Sequence, residues 1–337
     1  MLATQDVLVT LTCVGAAAFL RWRDWKEQHP RMRIERLFLY PIKGLRPLEP
    51  ESVELCVLGF KFDRRFILVS PKEDGSHECH LASQYPSHSL LRQSIDPAAS
   101  TLTITASSGE TYTTVLQPDT DGRKPFTVDL HGSPVLAFDM GDKAAAFFTK
   151  QSEGKETRLM FLDESVSGAK HGRKVLGSIS DGKDNGIGFQ DCASYMIGSA
   201  ASLGELSKTL GREMSVLPLR PNMLLGPATP SDTLKPYVED FWGELRLAGK
   251  TTIRLTSNCV RCISLNIDYS SGKRLEGTGL PLQALAKERR VDAGSYSPVF
   301  GRYGFSHDVG HKLSVGDTVE VTKINKARTV FSWPGMG

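Results

Sequence analysis

TLTITASSGETYTTVLQPDTDGRKPFTVDLHGSPVLAFDMG, residues 101–141, sets the fold class. It holds four short runs: TLTITA (101–106), YTTVL (112–116), PFTVDLHG (125–132) and PVLAFDMG (134–141). Each is rich in β-branched or aromatic residues and bounded by Gly, Pro or charge, the signature of consecutive strands joined by turns. Upstream, ERLFLYPI (35–42), VELCVLG (53–59) and RRFILVS (64–70) have the same character. The chain up to residue 141 therefore reads as mainly β once its N-terminal segment is set aside.

Downstream, DKAAAFFTKQ (142–151) predicts a helix with Asp142 as its N-cap. Residues 165–187 are rich in Ser, Gly, Lys and Asp and predict a long loop at a domain boundary. SAASLGELSKTL (199–210) predicts a helix capped by Ser199 and stopped by Gly211. Strands are expected over 215–218, 222–226, 243–248, 252–257 and 263–268. A helix is expected over 281–290, with Pro281 in its first turn. KLSVGDTVEVTK (312–323) reads as strand, Gly-Asp turn, strand. Many short strands and few helices, without an internal repeat, predict a barrel-like, β-rich α+β fold. The expected division is 1–33, an N-terminal anchor and basic linker; 34–160, a β-barrel-like domain; and 161–325, a second domain.

The chain has 337 residues, 40% hydrophobic and 23% charged, ample to bury a core. Net charge is +3, from 41 Lys+Arg against 38 Asp+Glu, so no nucleic-acid-binding reading follows. Six cysteines do not make a disulfide scaffold in a chain of this length, and only Cys259 and Cys262 form a C-x-x-C. VLVTLTCVGAAAFL (7–20) is apolar and uncharged, and as a helix would reach roughly 21 Å against the ~30 Å of a bilayer core. Arg21, Arg23 and Lys26 follow it and no Lys or Arg precedes it. That order favours an uncleaved anchor with the body in the cytosol over a cleaved signal peptide or a peripheral helix.

Three groups of residues could carry chemistry. In Asn258-Cys259-Val260-Arg261-Cys262, a thiolate suits a soft or high-valent metal, and Arg261 would favour a neighbouring thiolate. The same spacing also fits half a zinc site completed by His77, Cys79 and His80, a redox pair, or two inert core cysteines. Lys43, Arg64, Arg65 and Arg220 sit at strand edges beside turn formers, where they are either anion ligands or solvated strand ends. Asp191, in Gly188-Phe189-Gln190-Asp191, could orient a ligand or cap a turn. His307 and His311 read as surface residues. No G-x-G-x-x-G, P-loop or G-x-S-x-G occurs, so dinucleotide, nucleoside-triphosphate and serine-hydrolase readings lack support.

Taken in order, these segments resemble the MOSC family of molybdenum-cofactor proteins from about Ile34 to Val321. Within that family the likeness is to the amidoxime-reducing branch. LFLYPIKGL (37–45) is similar to the family's Tyr-Pro-hydrophobic-Lys-Ser, which gives Lys43 and Gly44 as cofactor contacts. Gly44 replaces the serine and leaves only its backbone N–H. DRRFILV (63–69) resembles the Asp-Arg-aromatic stretch, with Arg65 as the better match, and LASQYP (81–86) a Gln-aromatic-Pro segment. FQDCASY (189–195) gives Asp191; LRPN (219–222) gives Arg220 and Asn222; SPVFGRY (297–303) gives Tyr303. NCVRC (258–262) gives Cys262 as the molybdenum ligand and Arg261 beside the cofactor, with Cys259 as a structural neighbour.

The resemblance implies a MOSC fold with an N-terminal MOSC β-barrel-like subdomain. It implies Mo-molybdopterin as cofactor and reduction of amidoximes, hydroxylamines or N-oxides, with Cys262 and Asp191 at the reacting centre. The chain shows no haem, flavin or iron–sulfur motif, so electrons must come from outside. Family likeness suggests cytochrome b5 and NADH-cytochrome b5 reductase, at an outer mitochondrial membrane. The alternative is a cofactor-binding or carrier protein without turnover. Molybdenum-cofactor sulfurases also carry a MOSC domain, but with a PLP-binding transferase domain that this chain lacks.

Overall fold

The computed structural model describes residues 29–130, 133–163, 187–292 and 297–329. The expected anchor at 7–20 and almost all of the expected loop at 165–187 lie outside the described residues. Among the described residues no helix is long and apolar enough to cross a membrane.

Five strands close the smaller barrel: Phe66–Pro71, His77–Cys79, Phe126–Leu130, Ser133–Asp139 and Arg158–Phe161. Its strands alternate as a barrel requires. Ile67, Val69, Val128, Leu130, Val135, Ala137 and Met160 share one apolar cluster. Phe66, Leu68, Leu159 and Phe161 face the other way and pack with Ala144, Phe147 and Phe148. Those last three belong to the helix Asp142–Gln151. Its N-cap is Gly141 rather than Asp142. Asp142 stands one residue further in, where its carboxylate favours the helix N-terminus and accepts from Arg158 at 2.9 Å. The strands Arg92–Asp96, Thr101–Thr105 and Thr111–Val115 form a separate antiparallel sheet. Leu102 and Ile104 from it join the same cluster as the helix.

Seven strands close the larger barrel, in the order Met32–Leu37, Met223–Pro227, Tyr195–Ser199, Val299–Phe305, Thr251–Val260, Trp242–Leu247, Thr318–Ile324. Its first strand precedes the smaller barrel in sequence, so the chain starts one barrel, builds the other, then returns. The helix Ala200–Leu210 joins the parallel pair Tyr195–Ser199 and Met223–Pro227. The Ser199 hydroxyl accepts from Ser202 N, and Gly211 ends the helix at φ 65.

Three expected elements differ. Residues 215–218 form no strand: a 3-10 turn runs Leu217–Leu219, because Pro218 has no N–H to give a ladder. Residues 263–268 are a 3-10 turn, Ile263–Asn266, and a two-residue strand, Ile267–Asp268. The run 312–323 is not a hairpin. Lys312–Ser314 pairs with Ser52–Cys56, whereas Thr318–Ile324 joins the barrel.

A buried ion cluster backs the larger barrel. Asp240 accepts from Arg289 Nη2 at 2.7 and 2.8 Å and from Arg328 Nε at 2.8 Å. Arg302 Nη1 donates to the Asp240 carbonyl at 2.6 Å and to Asn258 Oδ1 at 2.8 Å. The adjacent Glu239 is buried, neither carboxylate oxygen has a hydrogen-bond partner among the described residues, and burial pushes its carboxyl up to about 7. The folded state then keeps a proton that the unfolded chain releases above its ordinary value of 4.5. Stability is thus lost as pH rises from the unfolded value through about 7, and no further loss from this group follows. Glu239→Gln removes that loss. Denaturant melts at pH 5 and pH 8 should show the variant gaining on wild type at the higher pH by on the order of 2–3 kcal/mol. An equal difference at both pH values would remove Glu239 as the titrating group.

Candidate functional site

Two loops with left-handed backbone carry the central arginines. Arg64 has φ 50 and Arg220 φ 54, a region that costs a non-glycine residue on the order of 1–3 kcal/mol and clusters at functional sites. Both guanidiniums lie over the ring of buried Tyr40, with Cζ 4.0 Å (Arg64) and 4.8 Å (Arg220) from its centroid. Beneath them Asp63 is wholly buried. Its carboxylate accepts from Arg64 Nη1 at 2.6 Å, Asn222 Nδ2 at 3.1 Å and the Tyr40 amide at 2.9 Å. Asn222 Oδ1 in turn accepts from the Met196 amide at 3.1 Å. Asn222 therefore fastens the arginine loops to the strand Tyr195–Ser199.

The loop 42–45 forms the facing wall. The Lys43 amide donates to the Phe66 carbonyl at 2.8 Å. Lys43 Nζ donates to the Phe189 carbonyl at 2.8 Å and to the Asp191 carboxylate. Asp191 itself is exposed. Gly44 has φ +95, and a Cβ there would meet nothing nearer than the His80 carbonyl at 3.9 Å. The conformation, not crowding, favours glycine. Arg220 Nη1 donates to the Tyr269 hydroxyl at 3.1 Å and lies 3.5 and 3.4 Å from the carbonyls of Gly44 and Leu45.

The thiol end comes from the strand Thr251–Val260 and the turn after it. Cys259 and Arg261 are buried, whereas Cys262 is exposed, 3.1 Å from Ser264 Oγ. Arg261 serves Cys259, not Cys262: Nη1 donates to Cys259 Sγ at 2.9 Å. Its Nη2 donates to the carbonyls of Pro218 at 3.3 Å and Leu219 at 2.9 Å, the residues just before Arg220. The Tyr303 hydroxyl packs against the thiols of Cys192 and Cys259, and burial pushes the phenol well up.

The structure thus brings Lys43, Gly44, Asp191 and Arg220 together. Cys262 joins them through the contacts of Arg261, and Tyr303 lies beneath. Arg65 is buried: its Nη2 donates to Cys56 Sγ at 2.9 Å, and its Nη1 lies against Gly188, 3.4 Å from where a Cβ there would stand, in the segment that leads to Asp191. The left-handed backbone at Arg64 accompanies a guanidinium laid over the Tyr40 ring. Tyr40, Asp63, Arg64 and Tyr269 complete the cluster. The pair Asp63-Arg64 before an apolar strand was a usable signal; no local pattern marks Tyr269. The zinc alternative finds no geometry. Cys79 donates to the Asp129 carbonyl at 3.1 Å, and the His80 ring sits 2.8 Å from Ser70 Oγ and stacks on Tyr85. Among the described residues no three His, Cys, Asp or Glu side chains gather as a metal site.

Lys43 and Arg64 each hold a carboxylate, but the acceptors of Arg220 are neutral oxygens. A surplus guanidinium, a glycine backbone cradle and an exposed thiol on the adjoining turn fit a ligand with a phosphate at one end and a thiophilic metal at the other. If that ligand is the molybdenum cofactor the resemblance implies, Arg220→Ala should lower molybdenum per mole of protein more than Lys43→Ala, by on the order of 1 kcal/mol in retention. Asp191 already neutralises much of the lysine. Equal metal content in Arg220→Ala and wild type would remove Arg220 from the site.

Two family models match in tandem: the MOSC N-terminal beta barrel domain over residues 31–153 and the MOSC domain over residues 184–320. Mitochondrial amidoxime reducing component 2 of Macaca fascicularis is 26% identical over 333 residues, covering 92% of this chain and 90% of that one. Mitochondrial amidoxime-reducing component 1 of Homo sapiens is 26% identical, covering 92% and 90%. Molybdenum cofactor sulfurase of Danio rerio is 24% identical over 92% of this chain but only 36% of its own length. The matched segments take in the arginine loops, the lysine loop and the cysteine turn. The chain belongs to the MOSC-domain family, with a MOSC N-terminal β-barrel domain ahead of its MOSC domain.

Proposed function

We propose that this protein binds Mo-molybdopterin and reduces N-hydroxylated compounds. The observation that carries the reading is the exposed Cys262 thiol on a turn bonded, through Arg261, to the turn that presents the uncompensated Arg220. The likeness to amidoxime reducing components supports it. When bound, the cofactor supplies two-electron chemistry at its metal. Arg220, Arg64 and Lys43 would hold the phosphate end, the Gly44 backbone would line the cradle, and Cys262 would hold the metal end as a soft thiolate. The overall change is N–OH plus two electrons and two protons to N–H and water. Asp191, exposed at the mouth and held by Lys43, is placed to accept a hydrogen bond from the N-hydroxyl of the substrate and orient it.

Electrons come from an external donor, proposed as cytochrome b5 fed by NADH-cytochrome b5 reductase. The proposed location is the outer mitochondrial membrane, anchored by residues 7–20, with the body in the cytosol. Metal analysis of the purified protein, with amidoxime turnover driven by a chemically reduced donor, tests the reading. Molybdenum at one per chain with turnover is expected. Molybdenum without turnover would make the protein a carrier, and no molybdenum after loading would end both readings.

A further inference from the structure

In the motif Cys259-Val260-Arg261-Cys262, side chains alternate as the strand ends: Cys259 and Arg261 inward, Cys262 outward. The inward pair has its own task. We propose that Arg261 is a positioning residue, not a cofactor contact: its guanidinium caps the carbonyl end of the 3-10 turn Leu217–Leu219 and so holds Arg220 in its left-handed conformation beside the turn that carries Cys262. This rests on the reading that Arg220 and Cys262 serve one ligand.

Within the turn, the Leu219 amide bonds the Val216 carbonyl at 3.0 Å and the Arg220 amide the Leu217 carbonyl at 3.1 Å. The carbonyls of Pro218 and Leu219 are the ones left over at the turn's end, as at the C-terminus of any helical segment. Both point at buried Arg261 Nη2. A cation at that end also suits the turn's dipole. Arg261 is fixed in turn from its own strand. Nη1 donates to Cys259 Sγ at 2.9 Å, and its amide donates to the Pro298 carbonyl at 2.8 Å. Tyr303 packs against Cys259 from the neighbouring strand Val299–Phe305. One planar fork therefore joins its own strand to the turn Leu217–Leu219, a geometry an ammonium cannot copy. The conformation at Arg220 is costly on its own, so it persists because this frame over-determines it.

Arg261→Lys keeps the charge and loses the fork; Arg261→Met keeps similar bulk and loses every donor. Hydrogen exchange on cofactor-free protein is the first measurement. The amides of Leu219 and Arg220 should exchange at least tenfold faster in both variants, while those of Phe66–Pro71 in the other barrel keep the wild-type rate. A uniform rise in both barrels, or no rise at 219–220, overturns the proposal. The second measurement is molybdenum content after loading with cofactor. Arg261→Lys should lower it severalfold, and adding it to Arg220→Ala should lower it no further, because Arg261 acts through Arg220. Multiplicative losses would show an independent role and overturn the proposal. If the exchange result holds while wild type takes up no molybdenum, the cofactor reading fails and the positioning role stands.

Discussion

Cys262→Ser is expected to abolish reduction of an N-hydroxylated substrate, while Cys259→Ser keeps measurable turnover. The two cysteines sit three residues apart in one motif but in opposite environments. Cys262 is exposed at the start of a 3-10 turn and bonded only lightly, to Ser264. Serine there changes packing little, but a harder, far less acidic hydroxyl is a poor substitute for a soft thiolate at a metal. Changes in groups that merely support a metal ligand cost roughly 10–100-fold in affinity or activity, so loss of the ligand itself should exceed roughly a hundredfold. The side chains proposed to hold the phosphate, Lys43, Arg64 and Arg220, are untouched, so the variant should still retain cofactor. Cys259, by contrast, is buried and receives Arg261 Nη1. A serine oxygen can accept that same hydrogen bond, at the cost of a smaller side chain. The assay is turnover with a reduced donor, normalised to molybdenum content. Wild-type turnover in Cys262→Ser at normal occupancy would sink the ligand assignment, and an exchange of the two phenotypes would move it to Cys259.

Much of this site is legible in the sequence because its parts lie at turns between strands, where a local pattern marks them. Lys43 after Tyr40-Pro41-Ile42, Arg220 before Pro221, and Cys262 at a strand end are examples. The caps Ser199 and Gly211 are legible for the same reason: capping is a contact within one turn. What is not legible is set by partners far away in the chain. The strand expected over 35–42 is found at Met32–Leu37, reaching back into the expected linker, and nothing in its residues says that it closes a barrel with Met223–Pro227 and Thr318–Ile324. Its burial pattern fits either barrel. That Arg64 lies over Tyr40 goes with a single backbone dihedral, φ 50 at Arg64. Motif spacing cannot register it, and a shift of one residue redirects the side chain entirely. Tyr269 enters the site only because the hairpin after Cys262 folds back over Arg220.

The second large effect expected is on stability: Asp63→Ala should lower the unfolding free energy by about 3–5 kcal/mol, the cost of breaking a buried ion pair from one side. Asp63 is wholly buried, and three donors converge on it, from Arg64, Asn222 and the Tyr40 amide. Alanine strands all three at once: a cation that cannot deprotonate, a side-chain amide and a main-chain N–H. Asp63→Asn should be only partly milder. With its oxygen at the Oδ2 position it can still accept from Arg64 and Asn222, but its NH2 then faces the Tyr40 N–H, donor against donor. Asn222→Ala separates the contributions. It removes one Asp63 contact and the acceptor for the Met196 amide while leaving the Arg64 pair intact, so it should cost about 1–3 kcal/mol. Urea unfolding of the three variants under one buffer measures the series. An Asp63→Ala loss under about 1 kcal/mol, the range of an exposed pair, would mean that water reaches this carboxylate. The left-handed backbone at Arg64 and Arg220 would then have to be held by the Tyr40 ring and Arg261 instead.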